Sequence, residues 1–169
     1  TGGLASATLV QTPGISRFFS GSWVVYRDES KNRWLKIPKS LLTRHSSVSP
    51  QMTQQLALRA LKQTPEADLA GAITGHLGPG VSSFIGTEGA RGKQATWATQ
   101  DGVIFLAVAV RQDPGKIHVV SQCMSLKAVP RSVSGPRLRI LLQHLAAFYL
   151  LSMVRSLLSL GATKWSTKG

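Results

Sequence analysis

The sequence has almost no cysteine and no clustered histidine, and these shortages exclude two kinds of site. Cys123 is the only cysteine in 169 residues, so neither a disulfide framework nor a multi-thiolate metal site can form. The histidines, His45, His76, His118 and His144, lack metal-ligand spacing. We therefore expect no bound metal, and we expect Cys123, in a strand-like stretch, to be a small core residue.

Acidic residues are also scarce, and several common nucleotide motifs are missing. The chain has only seven Asp and Glu, and none of them form an obvious pair for general acid and base catalysis. Neither the P-loop pattern nor the Gly-x-Gly-x-x-Gly fingerprint occurs, and metal-hydrolase motifs are absent. The best-known NTPase, dinucleotide-binding and metalloprotease signatures are thus excluded.

Basic residues dominate the charge, which bounds the class of ligand. Twenty Lys and Arg give a net charge of +13 and a pI of about 11.0. Such a surface attracts nucleotides, nucleic acid or anionic lipid, although it can also be a solvated basic face. The charges form no Lys/Arg run and no basic patch interleaved with aromatics. A nucleic-acid-associated protein is therefore the hypothesis that we rank last.

Hydrophobic patterning predicts the elements of the first half of the chain. A helix is expected from the start, with Thr1 near its N-cap, and a strand over Gly21–Asp28. Two short helical pieces follow, and then a longer helix with Ser49 as its N-cap and Pro50 at N1.

The second half predicts a sheet and a long closing helix. "ADLAGAIT" is a short strand, a long loop spans 75–101, and two strands joined by "DPG" form a hairpin. A helix is expected over 136–160. Its uncharged run, Ile140 to Val154, is shorter than the roughly 20 residues of a membrane span, so we expect no membrane partner. A helix packed on a sheet, or a homo-oligomer interface, explains it better.

These elements predict one domain over residues 1–169 in the α/β class. Helices on both faces of a mixed sheet would make a three-layer α/β/α sandwich. Since no signal peptide is visible, we expect a cytoplasmic protein.

Two glycine-bearing segments are candidate anion sites. Thr1–Gly3 opens a helix, whose N–H groups favour phosphate, and Thr74–Gly75 ends a strand before a Gly/Pro loop. A helix cap and a tight turn are the alternative readings. Tyr26 and Lys31 follow the first strand, and a lysine near a hydroxyl can act as a general base. An exposed lysine is the alternative there.

The combination of motifs is more specific than any one of them. "TGGLASATLVQTPGISRFFSGSWVVYRDESKNRWLKIP", "HSSVSP" and "AGAITGHLGPG", in that order, closely resemble the C-terminal domain of the CinA proteins, the nicotinamide mononucleotide deamidase family. The resemblance covers about Thr1 to Leu150. It implies an α/β/α domain, without metal or organic cofactor, that hydrolyses the carboxamide of nicotinamide mononucleotide, a small-molecule nucleotide, to the acid and ammonia.

The resemblance also assigns residues by their match to the family motifs. It implies catalytic roles for Lys31, Tyr26 and Thr1, with Lys31 activating a serine nucleophile. It implies substrate contacts from Gly2, Gly3, Ser16, Ser49, Thr74, Gly75, Gly78 and Arg137. Arg139 is an alternative to Arg137, because "SGPRLR" leaves the register open.

The sequence departs from the family pattern in several places, including a longer loop after Gly80 and "TQDGVIFLAVA" in place of the usual Lys-Pro-Val-Gly entry. The family serine lies two residues before Thr-Gly-Gly, so we expect it, with a preceding strand, upstream of Thr1. A degenerate, catalytically silent nucleotide-binding or scaffold domain is the alternative, and Thr1 as nucleophile is a further one. Tyr26 is followed by Arg27 and Asp28 instead of Ser and Asn, and His76-Leu77 replaces Ile-Ala.

Overall fold

The computed structural model describes residues 1–77, 102–112, 115–126 and 135–165. In chain order it contains α1 (Leu4–Leu9), a 3-10 turn (Ile15–Arg17), α2 (Asp28–Leu35), α3 (Lys39–His45), α4 (Pro50–Lys62), β1 (Leu69–Gly75), β2 (Val103–Gln112), β3 (Lys116–Ser125) and α5 (Gly135–Trp165). The helices, the strand β1 and the β2–β3 hairpin correspond to sequence predictions. Most of the predicted 75–101 loop lies outside the described residues.

The three strands form one sheet in the order β1-β2-β3, and every pairing is antiparallel. Thr74 of β1 pairs with Phe105 of β2, which in turn pairs with Cys123 of β3. The α/β class is confirmed. The prediction of a mixed sheet is wrong for the described strands, because both of their pairings are antiparallel and none is parallel.

Side-chain size differs between the two faces of the sheet. Small residues, Ala107 and Ala109 of β2 with Ala70 and Ala72 of β1, pack against α4. Larger residues face α5 and form the main core cluster: Ile104, Leu106 and Val108 against Leu142, Ala146 and Leu150. Since strand residues alternate between faces, positions 104, 106 and 108 of β2 face α5, while positions 107 and 109 face α4.

Helix α5 covers one face of the sheet and extends beyond the predicted end at 160, to Trp165. Its segment Pro136–Ser159 is also long and apolar enough, by length and composition alone, to cross a membrane. In the structure this helix contributes Leu142, Ala146 and Leu150 to the core, while Phe148 is exposed. The absence of a membrane partner stays a prediction.

Helix α4 begins as the sequence predicts. The Ser49 side chain accepts a hydrogen bond from the Met52 backbone N–H at 3.1 Å, and Pro50 occupies the first turn. An N-cap hydroxyl of this kind satisfies one of the N–H groups that the helix leaves unpaired. Met52 and Leu56 then bury the helix against α2 and its C-terminal loop.

The predicted strand over Gly21–Asp28 is wrong. Residues 21–26 belong to neither helix nor strand, and α2 already begins at Asp28. Trp23, Val24 and Tyr26 are 40%, 47% and 70% exposed. The aromatic and β-branched residues fit an extended chain lying on α1, where Ser22 hydrogen-bonds Ser6, and strand propensity does not distinguish that from a paired strand.

Two smaller predictions are also corrected. Cys123 is exposed and not a core residue, because it lies on the outer strand β3, whose side chains are mostly solvent-facing. Thr1 is not at the N-cap of α1. Gly3 takes that position with φ of 88°, and Gly2 also has positive φ, a conformation that glycine adopts without steric cost.

Candidate functional site

Lys31 is a buried lysine with a carboxylate partner. It lies on α2 and is only 5% exposed, and its Nζ donates to Asp28 Oδ1 at 2.8 Å. The Ser47 hydroxyl, from the loop after α3, donates to the same Asp28 oxygen. Sequence reasoning singled out Lys31, but it missed Asp28 and Ser47. The i,i+3 spacing of Asp28 and Lys31 on one helix was the available signal.

The ionisation of Asp28 is set by these two donors. Partial burial acts to raise its pKa, but the hydrogen bonds from Lys31 and Ser47 and the Lys31 charge outweigh it. The pKa of Asp28 is therefore below its ordinary value of 3.8. At neutral pH Asp28 is therefore a carboxylate, and its Oδ1 lies 2.8 Å from Lys31 Nζ.

Arg139 joins three separate parts of the chain. Its Nη2 donates to the Tyr26 hydroxyl at 3.1 Å, and its Nη1 donates to the Leu77 carbonyl at 3.5 Å. Of the predicted residues, Tyr26 is thus brought to Arg139 beside the end of β1. Thr1 lies just before α1, where its carbonyl accepts a hydrogen bond from the Leu4 N–H at 3.2 Å.

The two candidate arginines differ in what they contact. Arg137 is exposed at the start of α5 and makes no hydrogen bond or ion pair among the described residues. Arg139, two positions later, is partly buried and has the contacts just described. The geometry therefore favours Arg139 over the preferred sequence match Arg137, because of these two arginines only Arg139 contacts another predicted residue, Tyr26.

A chain of hydroxyls connects α4 with β1. Thr53 Oγ1 lies 2.7 Å from Thr74 Oγ1, and it donates to the Ser49 carbonyl at 2.7 Å. All three residues are buried. Ser49 and Thr74 were predicted from the sequence, whereas Thr53 was missed. A threonine among the apolar positions of a helix is its only signal.

Gly75 has a packing reason to be glycine. A Cβ at this position would lie 2.8 Å from Ile104 Cγ2 and 3.0 Å from the Val103 carbonyl oxygen. Gly3 is in a similar position, since its Cβ would come within 3.1 Å of Val24. Both glycines allow close approach of chain segments, and their predicted contact with a ligand stays a prediction.

The remaining predicted residues are not joined to these groups. Ser16 is exposed in the 3-10 turn and Gly2 is exposed before α1. Gly78 lies outside the described residues. No hydrogen bond connects Lys31 to Thr1 within the described part of the chain, and no group of three potential metal ligands occurs there.

These features define the class of the protein: an α/β domain in which polar side chains from separate chain segments are hydrogen-bonded around the end of β1. The CinA C-terminal domain family model matches residues 1–133. The chain belongs to this family. The predicted resemblance is thereby confirmed, although Arg137 and Arg139 lie beyond the matched residues.

Curated relatives carry related names. A CinA-like protein from Dictyoglomus thermophilum is 40% identical over 79 residues, which is 47% of this chain and 19% of the relative. A competence-damage inducible protein from Streptococcus gordonii is 37% identical over 127 residues, 71% of this chain and 29% of that protein. The chain therefore spans between about a fifth and a third of the length of these relatives.

Solved structures agree on the fold. A CinA superfamily protein from Klebsiella pneumoniae has a TM-score of 0.63 at 24% identity, covering 89% of this chain and 78% of that one. A competence/damage inducible protein from Agrobacterium tumefaciens has a TM-score of 0.62 at 26% identity, with the same coverage. Both support a CinA-type α/β domain.

Proposed function

We propose that this domain hydrolyses the carboxamide of nicotinamide mononucleotide. Water replaces the amide nitrogen: the C–N bond breaks, a C–O bond forms, and nicotinic acid mononucleotide and ammonia leave. The observation that carries the proposal is the meeting of Tyr26, Arg139 and the Leu77 carbonyl at the end of β1, where residues matching separate family motifs come together.

Arg139 is the group that would hold the substrate. Two of its five N–H donors bind Tyr26 and Leu77, which fix the plane of the guanidinium. The remaining donors can bind phosphate or another anionic oxygen, and a fixed guanidinium binds such oxygens with little loss of entropy. The +13 net charge would draw a phosphorylated substrate toward this surface.

Lys31 is the group that would accept the proton of the serine hydroxyl. By the family resemblance it activates the serine expected two residues before Thr1-Gly2-Gly3, and that serine attacks the amide carbonyl. Here its Nζ is held by Asp28, so Lys31 has to leave that ion pair, or pass its proton along it, before it can accept another. Asp28 and Ser47 would then fix the position of Nζ between turnovers.

The experiment uses the full-length protein with nicotinamide mononucleotide as substrate. Ammonia release and formation of the acid nucleotide are measured for wild type, Lys31→Met and Lys39→Met. Lys39 is exposed at the start of α3, so it serves as the matched lysine control. We expect Lys31→Met to lose at least a hundredfold in kcat and Lys39→Met to match wild type. A folded wild-type protein that releases no ammonia above background contradicts the proposal.

The ion pair also favours a second candidate, a nucleotide-binding domain without catalysis. In the family pattern an asparagine stands where this chain has Asp28, and a carboxylate there holds the Lys31 ammonium directly. Calorimetry separates the two candidates. Binding of nicotinamide mononucleotide without turnover by the full-length protein supports the second one, and binding with turnover supports the first.

A further inference from the structure

Two buried threonine hydroxyls contact each other between α4 and the end of β1. A third group, the Ser49 carbonyl, determines which hydroxyl donates to the other, and we call this direction the polarity of the pair. Thr53 Oγ1 lies 2.7 Å from Thr74 Oγ1 and also 2.7 Å from the Ser49 carbonyl oxygen. Thr53 has no measurable exposure and Thr74 is 8% exposed. Water is therefore excluded from the short contact between the two hydroxyls.

The protons can be assigned by counting. A hydroxyl has one proton to donate, and a carbonyl oxygen can only accept. The Thr53 proton is therefore used in the bond to Ser49. Thr53 can then only accept from Thr74, because two acceptors held 2.7 Å apart without a proton would repel each other. The Thr74 proton is thus directed at Thr53.

We propose that Thr53 is a positioning residue that makes Thr74 a hydrogen-bond acceptor for the substrate. The inference rests on the proposed function, since it takes the end of β1 as the substrate site. With its proton bound to Thr53, Thr74 has lone pairs and no donor left for a ligand. Thr74 then binds an N–H or O–H group, which departs from the sequence expectation that this hydroxyl helps to cradle an anion.

The proposed substrate offers two donors of this kind. One is the carboxamide N–H₂, and the other is a ribose hydroxyl. The carboxylate product has lost the first donor and kept the second, so comparing substrate and product distinguishes them. A carboxamide contact would also favour release of the acid product, because its carboxylate would face the lone pairs of Thr74.

The polarity itself is tested without any ligand. Neutron diffraction from perdeuterated crystals locates the two hydroxyl deuterons. We expect the Thr53 deuteron on the line to the Ser49 carbonyl and the Thr74 deuteron on the line to Thr53. A Thr53 deuteron directed at Thr74 overturns the inference, whether or not the protein turns out to be a deamidase.

The functional consequence is tested by calorimetry on full-length wild type, Thr53→Val, Thr53→Ser and Thr64→Val. Thr64 makes the same hydroxyl bond to a carbonyl four residues earlier, at 3.0 Å, but has no second hydroxyl beside it, so it is the matched control. The probes are nicotinamide mononucleotide and nicotinic acid mononucleotide. In Thr53→Val the Thr74 proton loses its acceptor and can turn toward the ligand.

We expect Thr53→Val to weaken binding of the amide about tenfold, with Thr53→Ser and Thr64→Val close to wild type. If Thr53→Val loses less affinity for the acid nucleotide than for the amide, or gains affinity for it, the carboxamide is the group that Thr74 binds. If both affinities fall equally, Thr74 binds a ribose hydroxyl. Both results support the inference. Unchanged affinities in a folded Thr53→Val protein overturn it. Failure of wild type to bind either nucleotide overturns the proposed function and the ligand part of the inference, while the deuteron positions still decide the polarity.

Discussion

The guanidinium of Arg139 donates a hydrogen bond to the hydroxyl of Tyr26 at 3.1 Å, across 113 positions of sequence. Tyr26 lies in the irregular segment before α2 and Arg139 lies in the first turns of α5. The bond therefore ties the beginning of the domain to its closing helix, at the place where β1 ends.

This pair gives the first prediction. Arg139→Ala removes the donor to Tyr26 and Leu77 together with a positive charge, so we expect KM for nicotinamide mononucleotide to rise at least tenfold. Arg137→Ala removes the same charge from an exposed position on the same helix and should leave KM within about twofold. Steady-state kinetics measure KM for both variants. An equal rise in KM for the two variants would refute the choice of Arg139 over Arg137.

The second prediction concerns acid stability. Because the folded-state pKa of Asp28 is below 3.8, its contribution is present above that pH and is lost as pH falls through the folded value. Asp28→Asn should lower Tm at pH 7, and the gap to wild type should close below about pH 3.8. Thermal melts from pH 7 to pH 2.5 measure this. Asp68→Asn, at an exposed aspartate without an ion pair among the described residues, is the control.

The third prediction separates two glycines of β1. Gly75→Ala would press a methyl group against the Val103 carbonyl oxygen and Ile104, and we expect a loss of about 1–3 kcal/mol in unfolding free energy. Gly71→Ala would meet only the Leu150 side chain, 3.1 Å away, which can rotate. Its cost should be smaller. Urea denaturation of both variants measures the two losses in unfolding free energy. A larger loss for Gly71→Ala would show that the strands move apart at Gly75 to accept the methyl group.

The fourth prediction concerns the cap of α4. Ser49→Ala leaves the Met52 N–H without its acceptor and should cost about 1 kcal/mol of unfolding free energy. Ser49→Asp keeps an acceptor and should recover most of the loss. If Ser49 has only this structural role, kcat and KM stay near wild type in both variants. A kinetic defect in Ser49→Asp, with stability restored, would instead support the substrate contact predicted from the sequence.

The sequence predicts the elements whose signal is local. Ser49 and Pro50 mark the start of α4, and two strand-like runs joined by "DPG" predict the antiparallel pair of β2 and β3. The ordered motifs predict the family. Local propensity fails where partners decide the outcome: Trp23, Val24 and Tyr26 suit a strand, but none of them pairs with a described strand, and Ser22 beside them bonds Ser6 of α1 instead.

The candidate site could be predicted only in part, for a related reason. Lys31, Tyr26 and Thr74 belong to motifs, and the structure gives each of them a polar partner. Two of those partners, Asp28 and Thr53, were missed, because their role depends on which side chain the fold brings within hydrogen-bonding distance. Arg139 could not be separated from Arg137 by register, since only the turn of α5 decides which one points inward.

The small residues between α4 and the sheet have a consequence for how this domain can change. Alanine at 70, 72, 107 and 109 lets the helix settle close to the strands, and only at that separation do Thr53 and Thr74 reach each other. A larger side chain at any of these positions would act as a spacer between the two layers. The packing of the core and the distance between the two hydroxyls therefore depend on the same small side chains. Substitutions on this face are constrained by the geometry at the end of β1 as well as by packing.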